Sequence, residues 1–398
     1  MPVLHRTVRP LLAGALVALA AVAPAGARPA PDPRPDRVPV PDGFRAQALT
    51  WTSPQRGWAL GVAPCPGAPE APEEPAAECT TVIATHDGGA TWSMTGTLAS
   101  PIAPPGEPGV TGIDFADARH GWAFGPSFER TVDGGRTWSP APMPGDGQQV
   151  LALVADGGLV HAVVSDCAPG QPPYECPTPP SLWTAPAAPP GTTRWRPVTD
   201  VELPHGSWPI LAAHGRSTYV VGQQPAPDPD AFYAAPDGRT WSPRPSPCDK
   251  EGAGDVLADV APTSRRDVAL LCVGSAGFSK AAKRAFRSAD GARTTTPAGI
   301  TPEWGIASEL AATPGPIASA TLAVASTSSG SWLYVNDTGG EAWTTAVEEG
   351  DGGAGWRDLT FADRRTGWVV YAPAAGYPGT GTLLSTDDGG RTWAPAPL

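Results

Sequence analysis

Thr131-Val132-Asp133-Gly134-Gly135-Arg136-Thr137-Trp138 decides how this chain is read, because the phrase recurs. Thr85-His86-Asp87-Gly88-Gly89-Ala90-Thr91-Trp92 precedes it, and Thr386-Asp387-Asp388-Gly389-Gly390-Arg391-Thr392-Trp393 closes the series. Residues 236–241, 288–295 and 336–343 hold weaker copies around Asp237, Asp290 and Asp337, with Trp241 and Trp343 ending two of them. The copies end at positions 92, 138, 241, 295, 343 and 393, so one interval is of double length. Near its middle, Gly191-Thr192-Thr193-Arg194-Trp195 keeps the Thr and Trp but lacks the Asp, giving seven units with steps of 46, 57, 46, 54, 48 and 50 residues. A period of this size marks a repeat architecture.

A second phrase precedes the first in several units: Trp51-Thr52-Ser53-Pro54-Gln55-Arg56-Gly57-Trp58, Phe115-Ala116-Asp117-Ala118-Arg119-His120-Gly121-Trp122 and Phe361-Ala362-Asp363-Arg364-Arg365-Thr366-Gly367-Trp368, with a trace at 260–268. Each places turn formers between apolar segments, which reads as strand, turn, strand. The Asp-Gly-Gly phrase supplies a further hairpin, since Asp accepts hydrogen bonds from its own turn and Gly takes positive φ freely. The sequence therefore predicts an all-β fold, a seven-bladed β-propeller of four-stranded antiparallel blades. Fifty-one Pro and 47 Gly residues spread through the units speak against helical repeats. An open solenoid is disfavoured because the terminal units are the best copies rather than atypical caps.

The phrase Ser/Thr-x-Asp-x-Gly-x-Thr-Trp resembles the Asp box, or bacterial neuraminidase repeat, and the match covers nearly all of the chain after its leader. With the Gly-Trp phrase, the pattern is most similar to propellers related to photosystem II assembly factors, within the sialidase-like superfamily. That resemblance implies that Asp87, Asp133, Asp237, Asp290, Asp337 and Asp388, with Trp92, Trp138, Trp241, Trp343 and Trp393, build rim hairpins away from the ligand face. It specifies fold strongly and function weakly.

Residues 1–27 carry His5, Arg6 and Arg9, an apolar run over 11–22 and Ala25-Gly26-Ala27, the pattern of a secretory signal with a small-residue cleavage site. The run is short for a membrane span, so membrane attachment is expected only through an uncleaved leader. Residues 28–42, with six prolines, read as an extended tether, and 43–398 as the propeller. The protein is expected to be secreted or in the cell envelope, and monomeric. Losing Arg6 and Arg9 moves the formal charge from -12 to -14, a surface that repels nucleic acid. Against that background Lys280, Lys283, Arg284 and Arg287, followed by Arg293, form a basic cluster. It reads as a solvated outer face or, more sharply, as a docking patch for an acidic partner.

Six cysteines in an exported chain suggest three disulfides. Fifteen connectivities are open, and proximity favours Cys65 with Cys79, Cys167 with Cys176 and Cys248 with Cys272. Separations of 14, 9 and 24 residues, without a CxxC or a His pair, do not suit a metal, and no cofactor motif is present.

Catalytic patterns are weak. The sialidase type needs an arginine cluster and a Tyr nucleophile, and none of the six tyrosines sits in a matching context. A glycosidase needs two facing carboxylates about 5 to 10 Å apart. Asp114 and Asp259 are read as equivalent positions on the innermost strands of blades two and five, where Thr50 and Thr360 stand elsewhere, so they are the weak catalytic candidates, with polar channel lining the plainer reading. Of the tryptophans outside the repeat positions, Trp183, Trp208, Trp304, Trp332 and Trp356 are free to form sugar or peptide platforms. The reading is an exported, non-enzymatic propeller scaffold that binds a protein or glycan through loops on one face. The alternative is a glycoside hydrolase of sialidase or xyloglucanase type.

Overall fold

The computed structural model describes residues 38–65, 77–103, 107–169, 171, 175–187, 194–252, 254–339, 342–350, 355–372 and 381–398. The expected leader and the start of the tether lie outside these residues, as do most of the Pro-rich loop between Cys65 and Cys79 and Gly191-Thr192-Thr193 of the third unit.

Twenty-eight strands, numbered β1 to β28 in chain order, form seven four-stranded antiparallel sheets among the described residues. The fold is a seven-bladed β-propeller. Its innermost strands are β1 (Arg45–Ser53), β5 (Gly112–Phe115), β9 (Gln149–Asp156), β13 (Trp208–His214), β17 (Val256–Pro262), β21 (Ala307–Ala312) and β25 (Gly355–Phe361). Each packs against the next around the ring, and β25 packs against β1. The blade edges are short: β8 (Ser139–Pro140), β12 (Arg196–Pro197), β16 (Ser242–Pro243) and β28 (Ala394–Pro395) have two residues each. Brief, proline-bearing edges offer little template for pairing with another chain.

Because every sheet is an up-and-down meander, its turns sort onto two faces. First-to-second and third-to-outer turns emerge on one side, here the box face. Second-to-third loops and blade-to-blade connections emerge on the other, the loop face. The Gly-Trp and Asp-Gly-Gly phrases both fall on the box face. In blade 2 the Thr131 Oγ1 donates to Asp133 Oδ1 at 2.8 Å, while Asp133 accepts from Thr137 N at 2.9 Å and Thr137 Oγ1 at 2.6 Å. Gly134 and Gly135 follow at φ +79° and +90°, a conformation costly for any residue with a Cβ. The same closure recurs at Asp87, Asp290 and Asp388, and at Asp237 in a shortened form.

Asp337 corrects the expectation. Counting back from Trp343, Thr338 occupies the box acid's place, and Asp337 instead accepts from Arg391 Nε of blade 7 at 2.6 Å.

The buried tryptophans join neighbouring blades. Trp58 of blade 1 stacks on Phe115 of blade 2 with ring centroids 3.9 Å apart, and its Nε1 donates to Gly134 O in the next box at 3.1 Å. Trp368 of blade 7 stacks on Trp51 of blade 1 at 3.7 Å. At these two joints a blade packs its Gly-Trp ring against an aromatic near the end of its successor's inner strand.

The ring closes without strand exchange, since blade 7 supplies its own β28. Ala46 and Gly381 exchange both backbone hydrogen bonds across the seam, at 2.7 and 2.8 Å. The end of the expected tether belongs to the ring: Val38 O accepts from Met94 N at 3.0 Å, and Val40 and Phe44 pack on the cluster that joins Trp92 to Trp368 and Leu383.

All three expected disulfides are present, Cys65–Cys79, Cys167–Cys176 and Cys248–Cys272, and all lie toward the loop face. The last closes the longest loop, with a sequence separation of 24. In the chain-entropy picture it restrains the unfolded state most, so the double variant Cys248→Ala/Cys272→Ala should lose about 2–4 kcal/mol. Loss of Cys167–Cys176 should cost less. Urea unfolding with and without reductant checks the ranking, and equal midpoints for wild type and both variants would defeat it.

Candidate functional site

A cavity of about 950 Å³ runs along the ring axis, lined by residues of all seven inner strands. Its polar lining includes Thr50, Asp114, Asp156, His214, Glu309 and Asp358. These side chains tie each blade to its successor. Thr50 Oγ1 donates to Asp114 Oδ1 at 2.5 Å, and Ala155 N of blade 3 donates to Asp114 Oδ2 at 2.9 Å. Asp156 accepts from Gly215 N of blade 4. Leu310 N donates to Asp259 Oδ2 at 2.7 Å, Leu359 N to Glu309 Oε2 at 3.2 Å, and Leu49 N to Asp358 Oδ2 at 2.7 Å. Six of the seven joints are bonded in this way among the described residues.

The joint between blades 4 and 5 is tied from the loop face instead. Asp230, on the second-to-third loop of blade 4, accepts from Leu257 N of β17 and from Lys250 Nζ, both at 2.8 Å. Cys248, two residues before Lys250, is bridged to Cys272.

Burial raises the channel acids. It carries Asp114 up to about 7 against the lowering hydrogen bonds from Thr50 and Ala155, and Asp259 up to about 6. Glu309 is raised by burial first and then by the neighbouring charges of Asp358 and Asp259, while burial also raises Asp358. The acids thus form two groups: Asp114 with Asp156 on blades 2 and 3, and Asp259, Glu309 and Asp358 on blades 5 to 7.

The structure does not bring Asp114 and Asp259 together as equivalents. Strand register aligns Asp114 with Thr50 and Thr360, each opposite the Trp of its Gly-Trp phrase. Asp259 stands three residues before the last hairpin pair, Pro262 with Val268, just as Asp358 stands three before Phe361 with Gly367. The register of β17 breaks just before Asp259, between Leu257 and Asp259, and that of β25 breaks between Arg357 and Thr360, a span that includes Asp358. Counted from the hairpin, Ala261 rather than Asp259 stands level with Asp114, a two-residue offset that the decayed turn phrase of blade 5 conceals in the sequence. Both oxygens of each weak catalytic candidate are also occupied: Asp114 by Thr50, Phe115 and Ala155, and Asp259 by Val260 and Leu310.

The basic cluster is likewise redistributed. Lys283, Arg284 and Arg287 lie along β19 (Lys283–Ser288), which crosses the blade from one face to the other. Lys283 is fully buried and Arg287 nearly so, because alternate strand residues face the core. Arg287 donates to the carbonyls of Ala318 and Gly339, and Arg284 pairs with buried Asp255. Lys280 alone of the four remains on the surface loop, so neither a solvated face nor a four-cation patch exists.

The ammonium of Lys283 has a different task. It donates to the carbonyls of Ala281, Glu303 and Gly305 at 3.0 Å and of Pro302 at 3.4 Å. Burial brings it down to about 8. The cation fastens the second-to-third loop of blade 5 to the connection between blades 5 and 6.

Above that fastening lies an exposed apolar surface. Trp208, Phe278, Ile300, Trp304 and Ile306 are five of the seven exposed large hydrophobics among the described residues. All five sit at loop-face ends of blades 4 to 6. Of the five unrepeated tryptophans, Trp332 and Trp356 are buried, Trp183 is half-buried, and Trp208 and Trp304 are the exposed ones, at 59% and 45%. Clustered exposed aromatics mark interaction surfaces.

No protein-family model matches the chain, and no curated protein matches it. Solved structures do. The chain is similar to a PL25 ulvan lyase at TM-score 0.53 and 9% identity, covering 85% of this chain and 91% of that one. It is similar to YCF48 bound to a D1 peptide at TM-score 0.46 and 19% identity, over 75% and 82% of the two chains. A Hadza microbial sialidase follows at TM-score 0.41 and 14% identity, over 80% and 73%. The likeness is one of fold. Fold alone does not give function, which must be argued from the site.

Proposed function

We propose that this protein is an exported propeller scaffold that holds a protein or glycan on the loop face of blades 4 to 6. Residues 1–27 serve as its secretory signal, 28–42 as its lead-in and 43–398 as the binding domain. The exposed side chains of Trp208, Phe278 and Trp304 carry the reading, because they share the loop face with segments fastened by a disulfide and by buried Lys250–Asp230, Arg284–Asp255 and Lys283 contacts. A surface fixed before binding loses little conformational freedom on binding. Three disulfides support an oxidising location.

Affinity capture from the producer's envelope and secreted fractions tests it, with the wild type and a Trp208→Ala/Trp304→Ala variant as bait. A specific protein or glycan retained by the wild type and lost by the variant is expected. Retention by both would remove the loop face from the reading.

A second reading, glycoside hydrolysis in the channel, draws on the Glu309–Asp358 pair. A raised Glu beside a second acid is the arrangement of a general acid with its partner. Each also accepts a backbone amide from the next blade, which favours a structural role. A fluorogenic glycoside panel run with wild type and Glu309→Gln decides between the roles, since turnover abolished by this substitution would establish the enzyme.

A further inference from the structure

The second-to-third loop of blade 5 ends in a two-residue hairpin. Gly277 N donates to Lys280 O at 2.8 Å and Lys280 N to Gly277 O at 3.0 Å, enclosing Phe278 and Ser279. Both central residues lie in the left-handed region, at φ 48° and 66°. Turns of this kind favour Asn and Gly, because a Cβ crowds the backbone there. A bulky aromatic at the first position is an outlier that local turn chemistry does not select. Phe278 is also fully exposed, at 102%, so it packs on nothing that would explain its presence. Strain retained without a packing reward points to a use for the side chain.

The surroundings define that use. Lys280 Nζ lies 4.2 Å from the centroid of the Trp304 ring. Trp304 stacks on buried Trp332 at 5.8 Å with planes 22° apart. Its carbonyl accepts from Tyr334 Oη at 3.2 Å, and the hairpin is bound beside it through Gly305 N to Ser279 O at 3.0 Å. Lys280 makes no ion pair among the described residues. An indole face steadies its ammonium without neutralising it. The result is a placed, uncompensated cation beside a projecting phenyl ring, in a chain of formal charge -12.

We infer that Phe278, Lys280 and Trp304 form a reader for an acidic peptide segment of a partner protein, in which a carboxylate meets Lys280 and an adjacent large apolar side chain packs against Phe278. This rests on the loop face being the binding face. A peptide is favoured over a sugar because the Trp304 ring carries the Lys280 ammonium, so that the site offers a carboxylate a cation rather than offering a pyranose a bare indole face. Lys283 is a positioning residue for the reader, since it holds the carbonyls of Glu303 and Gly305 on either side of Trp304.

The test is selection of a random peptide display library on the mature protein, followed by titration of a synthetic enriched peptide. The enriched peptides should place Asp or Glu next to Phe, Trp or Leu, and their affinity should fall with added salt. Lys280→Glu and Phe278→Asn should each weaken binding by about tenfold or more. Phe278→Asn places a favoured residue in the turn and should leave the melting temperature unchanged or higher, a separation that a structural role for Phe278 does not produce. Enriched peptides without acids, or affinity indifferent to both substitutions, would overturn the reader while leaving the loop face in place. Failure to enrich any peptide, with glycans on an array held through Trp208 or Trp304, would also overturn it and leave the broader reading standing. If neither ligand class depends on this face, both readings fall.

Discussion

Trp368→Ala should cost the folded ring about 3–5 kcal/mol, the range for deleting a large buried aromatic. The side chain is 1% exposed and stacks on Trp51 at 3.7 Å, and Trp51 meets Trp92 edge to face at 5.8 Å. The lost contact lies at the seam between blade 7 and blade 1, where no strand exchange shares the load. Trp393 gives the control. It belongs to the outer hairpin of the same blade and is only half-buried, so Trp393→Ala should cost about 1–2 kcal/mol on area alone. Urea unfolding followed by circular dichroism measures both. A Trp368 cost no larger than that of Trp393 would mean that the seam does not depend on this ring.

The protein should be more stable near pH 5 than near pH 8. Five acids of the inner strands, Asp114, Asp156, Asp259, Glu309 and Asp358, titrate above their ordinary range because burial penalises their charged forms. For a carboxyl raised in the folded state, the unfolded chain releases its proton first. Stability is therefore greatest below the ordinary carboxylate range and is lost as pH climbs through the folded values, about 6 for Asp259 and about 7 for Asp114.

His161 opposes this. It is buried and unprotonated, brought down to about 4, so its contribution is lost as pH falls from 6.5 toward that value. One imidazole, with Lys283 at about 8 acting only at the top of the range, is set against five acids and leaves the net slope downward with rising pH, because each titrating group contributes about 1.4 kcal/mol per pH unit at most. The box aspartates, including Asp237 and Asp290 at about 2, act only in stronger acid. Glu309→Gln keeps an acceptor for Leu359 N and removes the charge, so it should raise the melting temperature at pH 8 by several degrees and leave pH 5 nearly unchanged. A flat wild-type profile between these pH values, or an equal effect of the substitution at both, would count against the channel acids as the cause.

Much of the architecture was legible in the sequence because its determinants are local. The Asp box closes on itself within seven residues, as Thr131, Asp133 and Thr137 show, so each copy announces a hairpin wherever it falls. The disulfides were legible for the same reason, joining cysteines that are neighbours in sequence. Blade 6 exposes the limit: once the phrase decays, the nearest acid, Asp337, is mistaken for the box acid.

The candidate sites were less legible because they depend on register and on strand polarity. Hairpin register places Ala261, not Asp259, level with Asp114, because the decayed turn phrase of blade 5 no longer marks where its inner strand ends. Lys283 and Arg284 are adjacent in the chain, yet one is sealed among carbonyls and the other pairs with Asp255. A cation cluster read along the sequence cannot separate the two faces of a strand. Glu309 was missed because its importance comes from neighbours on other blades. Trp208 and Trp304 could be found by subtraction, being among the tryptophans that the repeat leaves unassigned.

The last joint of the ring is made between blades at opposite ends of the chain, and that sets an order in time. Blade 1 offers Leu49 N to Asp358 and the face of Trp51 to Trp368, so the first blade made is completed by the last. The bonded pair Leu49 and Asp358 is separated by 309 residues. At about 5–20 residues per second, a nascent chain carries an unfinished first blade for roughly 15 to 60 s. During that interval the chain remains an open series of blades, and it becomes a closed ring only when its final unit has been made.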